Sequence, residues 1–237
     1  VEPAEYELMD AAEARMWWYR ALHARVRDAL AGIDGRVLDA GCGTGGLLSA
    51  LAGRSGLDLT GLEPSAFGAR RSRQKSHARI VRGTINALPF APASFDAAVT
   101  ADVLCHAAVN PAAALHELRR VLRPGGRLLV NMPAYAWLLS AHDRRVHNVL
   151  RQNRAQLRAM LADAGFVRIC VRYWNGLLLP LMVAQRKLLA RGGDAASDVA
   201  LFPPWLDAIL YAITDLERRL PFSLPAGGSV LAMAEAP

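Results

Sequence analysis

A chain of 237 residues with 53% apolar and 21% charged side chains has the balance of an ordinary folded protein, which excludes wholesale disorder and a fibrous repeat. The formal net charge of +7 raises nucleic acid as a partner, yet the cations are spread along the whole chain. The densest run, Ala69 to Arg79, carries no interleaved aromatic residue, so a solvated helix face is the simpler reading and nucleic acid is disfavoured.

The acidic amino terminus lacks the basic start and apolar run of a signal peptide, and no apolar stretch reaches the roughly 20 residues a bilayer requires. A cytoplasmic protein without a membrane span is expected. The helix-like segment Met16 to Leu30 follows, with Trp17, Trp18, Tyr19 and Arg20 in succession. Consecutive residues on a helix cannot all face inward, so at least one of these rings lines a cleft or a partner surface. Short apolar runs then alternate with helix-like segments, the pattern of a parallel sheet covered on both faces. Strands are predicted at Arg36 to Ala40, Leu57 to Leu62, Arg79 to Gly83, Phe95 to Ala101 and Gly126 to Asn131, with helices at Gly45 to Gly53, Pro64 to Ser76 and Pro111 to Leu122. Two more strand-like pieces, Phe166 to Tyr173 and Ser229 to Ala234, flank a segment that carries two apolar helices joined by GGDAASD. Cys42, Cys105 and Cys170 stand singly with no CxxC pair, which supports neither a disulfide framework nor a metal site.

The strongest local signal is VLDAGCGTGGLLSALA, a short strand running through glycines into a helix. Gly41, Gly43 and Gly45 can adopt backbone angles closed to other residues and let a ligand lie against the main chain. Gly41, Gly43 and Gly46 also satisfy GxGxxG, so the loop alone does not separate a dinucleotide site from other uses of the turn. Asp39, two residues before Gly41, would repel a phosphate and favours a cationic or zwitterionic ligand. Glu63 closes the next strand, where a carboxylate can accept from a ribose diol.

DAGCGTG, GLEPS, INALPFAPASFDAAV and LRRVLRPGGRLLV together resemble the successive motifs of class I S-adenosylmethionine-dependent methyltransferases, over about Val37 to Asn131 and in the right order. The resemblance implies a Rossmann-like α/β fold: a mostly parallel seven-stranded sheet with helices on both faces, an N-terminal helix, and a helical insertion before the last strand. It divides the chain into an N-terminal helical lid (1–35), a cofactor-binding core (36–175), the insertion (176–228) and the final core strand (229–237). It also implies S-adenosyl-L-methionine as cofactor and S-adenosyl-L-homocysteine as product. Asp39 would hold the methionine ammonium, the backbone from Gly41 through Cys42 and Gly43 to Gly45 would line the cofactor, and Glu63 with Pro64 would take the ribose. Thr84 and Ile85 stand where the family usually places an acid for adenine, so a hydroxyl and an amide would serve there. Arg20 would pair with the cofactor carboxylate, and Tyr19 would face the acceptor.

The stretch Thr100 to Pro111 is similar to the family loop beside the transferable methyl, which marks Asp102 as a cofactor contact and His106 as a candidate base. Their plain readings are a helix N-cap and a packed imidazole. Pro133 to Phe166 resembles a bacterial subgroup in which a His-Asp pair and a later His follow the fifth strand, here His142, Asp143 and His147. Substrate contact is preferred to metal for these, with His142 as a second candidate base. The insertion, with Trp205 among its apolar residues, has three competing uses: a lid over a lipophilic acceptor, a homodimer interface, or packing on the sheet.

The expected function is methyl transfer to an oxygen, nitrogen or carbon of a small hydrophobic or aromatic acceptor. Two alternatives stand beside it. A nicotinamide-dependent oxidoreductase shares the glycine turn and Glu63 but explains neither Asp39 nor the LPF and RPGG segments. A methyltransferase-like nonenzymatic binding protein is kept open by the missing acid before LPF.

Overall fold

The computed structural model describes residues 3–139, 143, 146–184 and 202–237. Seven strands form one sheet in the order β3-β2-β1-β4-β5-β7-β6: β1 (Gly35–Ala40), β2 (Leu57–Leu62), β3 (Arg79–Val81), β4 (Phe95–Ala101), β5 (Leu122–Pro133), β6 (Val167–Trp174) and β7 (Ser229–Glu235). The first five pair in parallel, and β7 inserts antiparallel between β5 and β6. The strand order reverses between β1 and β4, and a crevice at such a point is where ligands bind in open α/β sheets.

Helices α1 (Pro3–Ala12), α2 (Trp17–Ala29), α3 (Gly46–Leu51), α4 (Ala66–Ser76), α5 (Pro111–Val121), α6 (Arg154–Asp163), α7 (Leu179–Ala184) and α8 (Pro204–Arg218) complete the described fold. Strand residues alternate between two apolar clusters. Leu38, Ala98, Leu128 and Val130 point to the face covered by Leu115 and Leu118 of α5 and Leu157 and Leu161 of α6. Val37, Ala97, Val99 and Leu129 point to the face covered by Val26 of α2 and Leu47 and Leu51 of α3. This period of two, apolar on both sides, is what a sheet buried on both faces demands.

Two predicted strands, β2 and β4, have the expected bounds, whereas β5 starts at Leu122 because Leu122 pairs with Phe95 and the Ala236 amide donates to the Gly126 carbonyl. Helix α1 lies within the segment expected to be helical (1–35) but ahead of Met16 to Leu30, the only helix the sequence reading placed there. Its polar positions Tyr6 and Asp10, with Glu13 just past its end, recur at helical spacing and bond to groups far along the chain. The loop GGDAASD lies outside the described residues.

Helix α8 is turned against its own polarity. Its buried face carries Asp207, Thr214 and Glu217 beside Leu210, while Trp205, Ile209 and Leu216 are exposed. Asp207 accepts from the Trp17 amide (2.6 Å) and pairs with Arg20 (3.1 Å). Glu217 accepts from the Gly176 and Leu177 amides (2.8 and 3.1 Å). Charge-assisted hydrogen bonds thus clip α8 to α2 and to the turn that opens the insertion just after β6. No helix among the described residues is long and apolar enough to cross a membrane.

Candidate active site

Strands β2, β1 and β4 are neighbours and end together, bringing Glu63, Asp39 and Asp102 to one crevice. Directly after β1 the chain turns through Gly41 (φ 102°) and Gly45 (φ 91°), angles open to glycine. A Cβ at Gly41 would run into Val103, and one at Gly45 would lie 2.7 Å from the Ser72 Cα, so the loop is pressed between α4 and the segment after β4. The Cys42 thiol points to the Ser72 hydroxyl (3.5 Å), which leaves the loop backbone facing the crevice.

Asp39 is 3% exposed and has no hydrogen-bonded or ionic side-chain partner among the described residues. Burial first, then the charges of Glu13 and Glu63, push its carboxyl up to about 7. A buried carboxylate left in this condition is stabilised only by a cation, and the adjacent glycine turn provides the room.

Glu63 is three-quarters satisfied already. Its Oε2 accepts from the Gly43 amide (3.0 Å), and its Oε1 accepts from the Ser65 amide and the Tyr6 phenol (2.8 Å each). Glu13 accepts from the Thr44 hydroxyl (2.6 Å) and pairs with Lys75, and burial raises its carboxyl. The acidic amino terminus therefore lies across the crevice, with Asp10 bound to Arg71 and Lys75 of α4.

Asp102 is not a helix N-cap. It sits at φ 53°, its Oδ1 accepts from the Asn131 amide (2.9 Å), and the side chain that caps α5 is Asn110. Asn131 in turn accepts from the Trp174 indole (2.8 Å), so a buried chain of polar groups runs from β6 to β4. Burial raises Asp102 to about 7 against the Asn131 bond and the Arg151 charge. His106 is half-buried in the following loop, its Nδ1 has no partner, and burial lowers its pKa, so the ring is neutral near pH 7. Tyr19 is half-buried, and burial first, then the charges of Glu13, Asp102 and Glu5, raise its phenol.

The other predicted residues are placed as follows. Thr84 is exposed and its hydroxyl accepts from the Asn86 amide (3.3 Å), Ile85 is buried in the core, and Pro64 is exposed beside Glu63. Arg20 pairs with Asp207 and lies 4.0 Å over the Tyr211 ring, bound to the insertion. Asp143 is 1% exposed in a bidentate pair with Arg151 (2.8 and 2.9 Å), and His147 is exposed at φ 58°. Trp205 is 66% exposed. His142 lies outside the described residues. Among the described residues no group of three His, Cys, Asp or Glu is arranged to hold a metal ion.

The Asp143 pair fixes the connection after β5 by tying it to the Ala134 carbonyl through Arg151 (3.0 Å). Asp143→Ala leaves a buried guanidinium uncompensated, and urea unfolding is expected to show a loss of about 3 to 5 kcal/mol. A loss under about 1 kcal/mol would mean that Arg151 reaches solvent when its partner is removed.

Sequence reading missed Tyr6, Glu13 and Asn131. The 6, 10, 13 spacing was the available signal for the first two, and nothing local marks Asn131.

Comparison with known proteins places these features in context. A family model described as a methyltransferase domain matches residues 38–130. An O-methyltransferase, cnsE of Penicillium expansum, is 34% identical over 203 residues, covering 77% of this chain and 71% of the relative. The 24-methylenesterol C-methyltransferase 2 of Oryza sativa subsp. japonica is 31% identical over 148 residues, 56% of this chain and 39% of the relative. The chain spans less than two thirds of the length of several curated relatives it matches. Among solved structures, the geranyl diphosphate C-methyltransferase of Streptomyces coelicolor A3(2) superposes with a TM-score of 0.64 at 19% identity, covering 92% of this chain and 76% of that one. At that identity the likeness speaks to the fold.

Proposed function

The chain belongs to the class I S-adenosylmethionine-dependent methyltransferases, and from that footing we propose that it moves a methyl group to an oxygen, nitrogen or carbon of a small hydrophobic acceptor. The observation that carries this reading is the unpartnered Asp39 carboxylate at the glycine turn, which suits a ligand with an ammonium and a ribose and disfavours a pyrophosphate. S-adenosylmethionine, when bound, supplies an electrophilic methyl on a sulfonium.

The residues of the chain align the partners. Asp39 orients the ammonium, Glu63 with Pro64 takes the ribose, the backbone at Gly41, Cys42, Gly43 and Gly45 lines the middle, and Thr84 and Ile85 border the adenine. Asp102, held by Asn131, fixes the loop beside the reacting centre. The neutral His106 ring has a buried, unpartnered Nδ1, which can accept the proton of an acceptor hydroxyl once the acceptor is seated against it. Alignment in line can supply roughly 7 to 11 kcal/mol of the barrier, so the base is an addition to positioning. Residues 36–175 with 229–237 form the core in this reading, and 1–35 with 176–228 close over it.

One relative is named for a lipophilic acceptor, a sterol, which supports the acceptor class. Tyr19, His142, His147 and Trp205 are the proposed acceptor contacts, and Asp143 positions their connection.

Thermal unfolding and calorimetry with S-adenosylmethionine, S-adenosylhomocysteine and NAD side by side test the proposal. A ligand at 100 times its Kd adds about 2.7 kcal/mol, a rise of about 5 to 10 °C in melting temperature for a chain of this size. Both adenosyl ligands are expected to stabilise and NAD is not. Stabilisation by NAD alone would restore the oxidoreductase, and binding of none would favour the nonenzymatic reading.

A further inference from the structure

Beside the crevice, the same end of the sheet presents an apolar rim. Strands β4, β5 and β6 finish at one end of the sheet, where β7 begins. The connections leaving that end expose Trp137, Leu139, Val149, Leu177 and Leu181. Trp205 joins them, because Asp207 binds the first amide of α2, the helix that runs from this end down to β1. The two indoles are 52% and 66% exposed.

Charge on the rim is one-sided. On the side formed by β4, β5 and β6, Asp102, Asp143 and Asp207 are turned to Asn131, to Arg151, or to the Trp17 amide and Arg20, while Glu7 of α1 is exposed on the side next to the glycine turn. Segments 175–184 and 220–228 contain no charged residue. Arg15 and Arg154, at the starts of α2 and α6, are exposed beside the rim, and the whole chain carries a net charge of +7. Exposed tryptophans and leucines bordered by arginine, with Asp143 and Asp207 turned inward, are the chemistry of a surface that settles into the headgroup layer of an anionic bilayer.

We propose that this rim docks on an anionic membrane surface, from which a lipophilic acceptor enters the crevice. The second clause rests on the acceptor reading above; the docking surface does not. A second copy of the chain seated on the same rim would block the crevice mouth, whereas a bilayer covers the apolar side chains and leaves a hydrophobic route to it.

Co-sedimentation of the full chain with vesicles of phosphatidylcholine and phosphatidylglycerol is the test. Wild type is expected to partition onto the mixed vesicles, less so in high salt and much less onto phosphatidylcholine alone. Replacing both Trp137 and Trp205 with Ser, with the melting temperature retained, is expected to lower the partition about tenfold or more. Quenching of wild-type tryptophan fluorescence by brominated lipid reads the same contact without a variant. Absence of sedimentation and quenching, or equal binding to both vesicle types, overturns the proposal. So does a dimer in sedimentation velocity that the two substitutions dissolve while vesicles stay unbound. Calorimetry with S-adenosylhomocysteine on the same sample separates the two readings. Vesicle binding without ligand binding refutes the cofactor assignment alone, and the converse refutes the membrane surface alone.

Discussion

Replacing Asp39 with Ala is expected to weaken binding of S-adenosylhomocysteine by about a hundredfold or more at pH 8, while the ligand-free protein becomes more stable. The two effects have one cause. In the ligand-free protein Asp39 is a buried carboxylate facing Glu13 and Glu63 with no cation of its own, so its charge opposes folding. With an ammonium against it, the same charge becomes half of a buried pair, and removing one partner of such a pair costs about 3 to 5 kcal/mol.

The pH dependence follows with its sign. The Asp39 carboxyl stands at about 7 in the folded protein against an ordinary 3.8, so between these values the folded chain holds a proton that the unfolded chain has released. The Asp39 contribution to stability is therefore greatest at low pH and declines as pH rises from about 4 to about 7. Asp10 and Asp215, held low by their cations, act in the opposite sense, which is why the wild-type minus Asp39→Asn difference curve is the quantity to measure. Ligand affinity should fall up to about tenfold per pH unit below pH 7 in wild type, because the ammonium must displace the proton, and this slope should vanish in Asp39→Asn. A wild-type affinity flat from pH 5.5 to 8 would mean that Asp39 does not meet the ammonium.

The crevice was legible in the sequence because its parts are local. A strand, a glycine turn and a helix lie within one short run, and an acid closes the following strand, so spacing alone brings Asp39, Gly41 and Glu63 together. What surrounds the crevice was not legible, because long-range partners decide it. The periodicity of α8 identifies an apolar face but not which face is buried; Trp17, Gly176 and Leu177, far from it in sequence, supply the amides that draw Asp207 and Glu217 inward. Arg20 goes to Asp207 for the same reason. Asp102 looked like an N-cap because a helix does follow, but the chain first turns through a left-handed residue and several bends before Asn110 caps α5.

Tyr6→Phe is expected to tighten S-adenosylhomocysteine binding about tenfold, the opposite of what deleting a polar residue from a binding crevice usually does. A carboxylate offers about four lone-pair directions, and Glu63 has committed three of them, to Gly43, Ser65 and Tyr6. A ribose diol donating two hydrogen bonds needs one more than remains. The two amides are fixed by the loop and by the start of α4, so the phenol is the group that must leave. A hydrogen bond to a charged group is worth about 1.5 to 3 kcal/mol, and the ligand no longer has to break it once the hydroxyl is gone. Glu63→Gln should instead lose about a hundredfold, because it surrenders the charge that both the phenol and the diol compete for. The double variant decides between competition and contact: if Tyr6 only competes, Tyr6→Phe has little effect in the Glu63→Gln background. If Tyr6→Phe weakens binding in wild type, the phenol touches the ligand, and α1 closes over the cofactor rather than standing in for it.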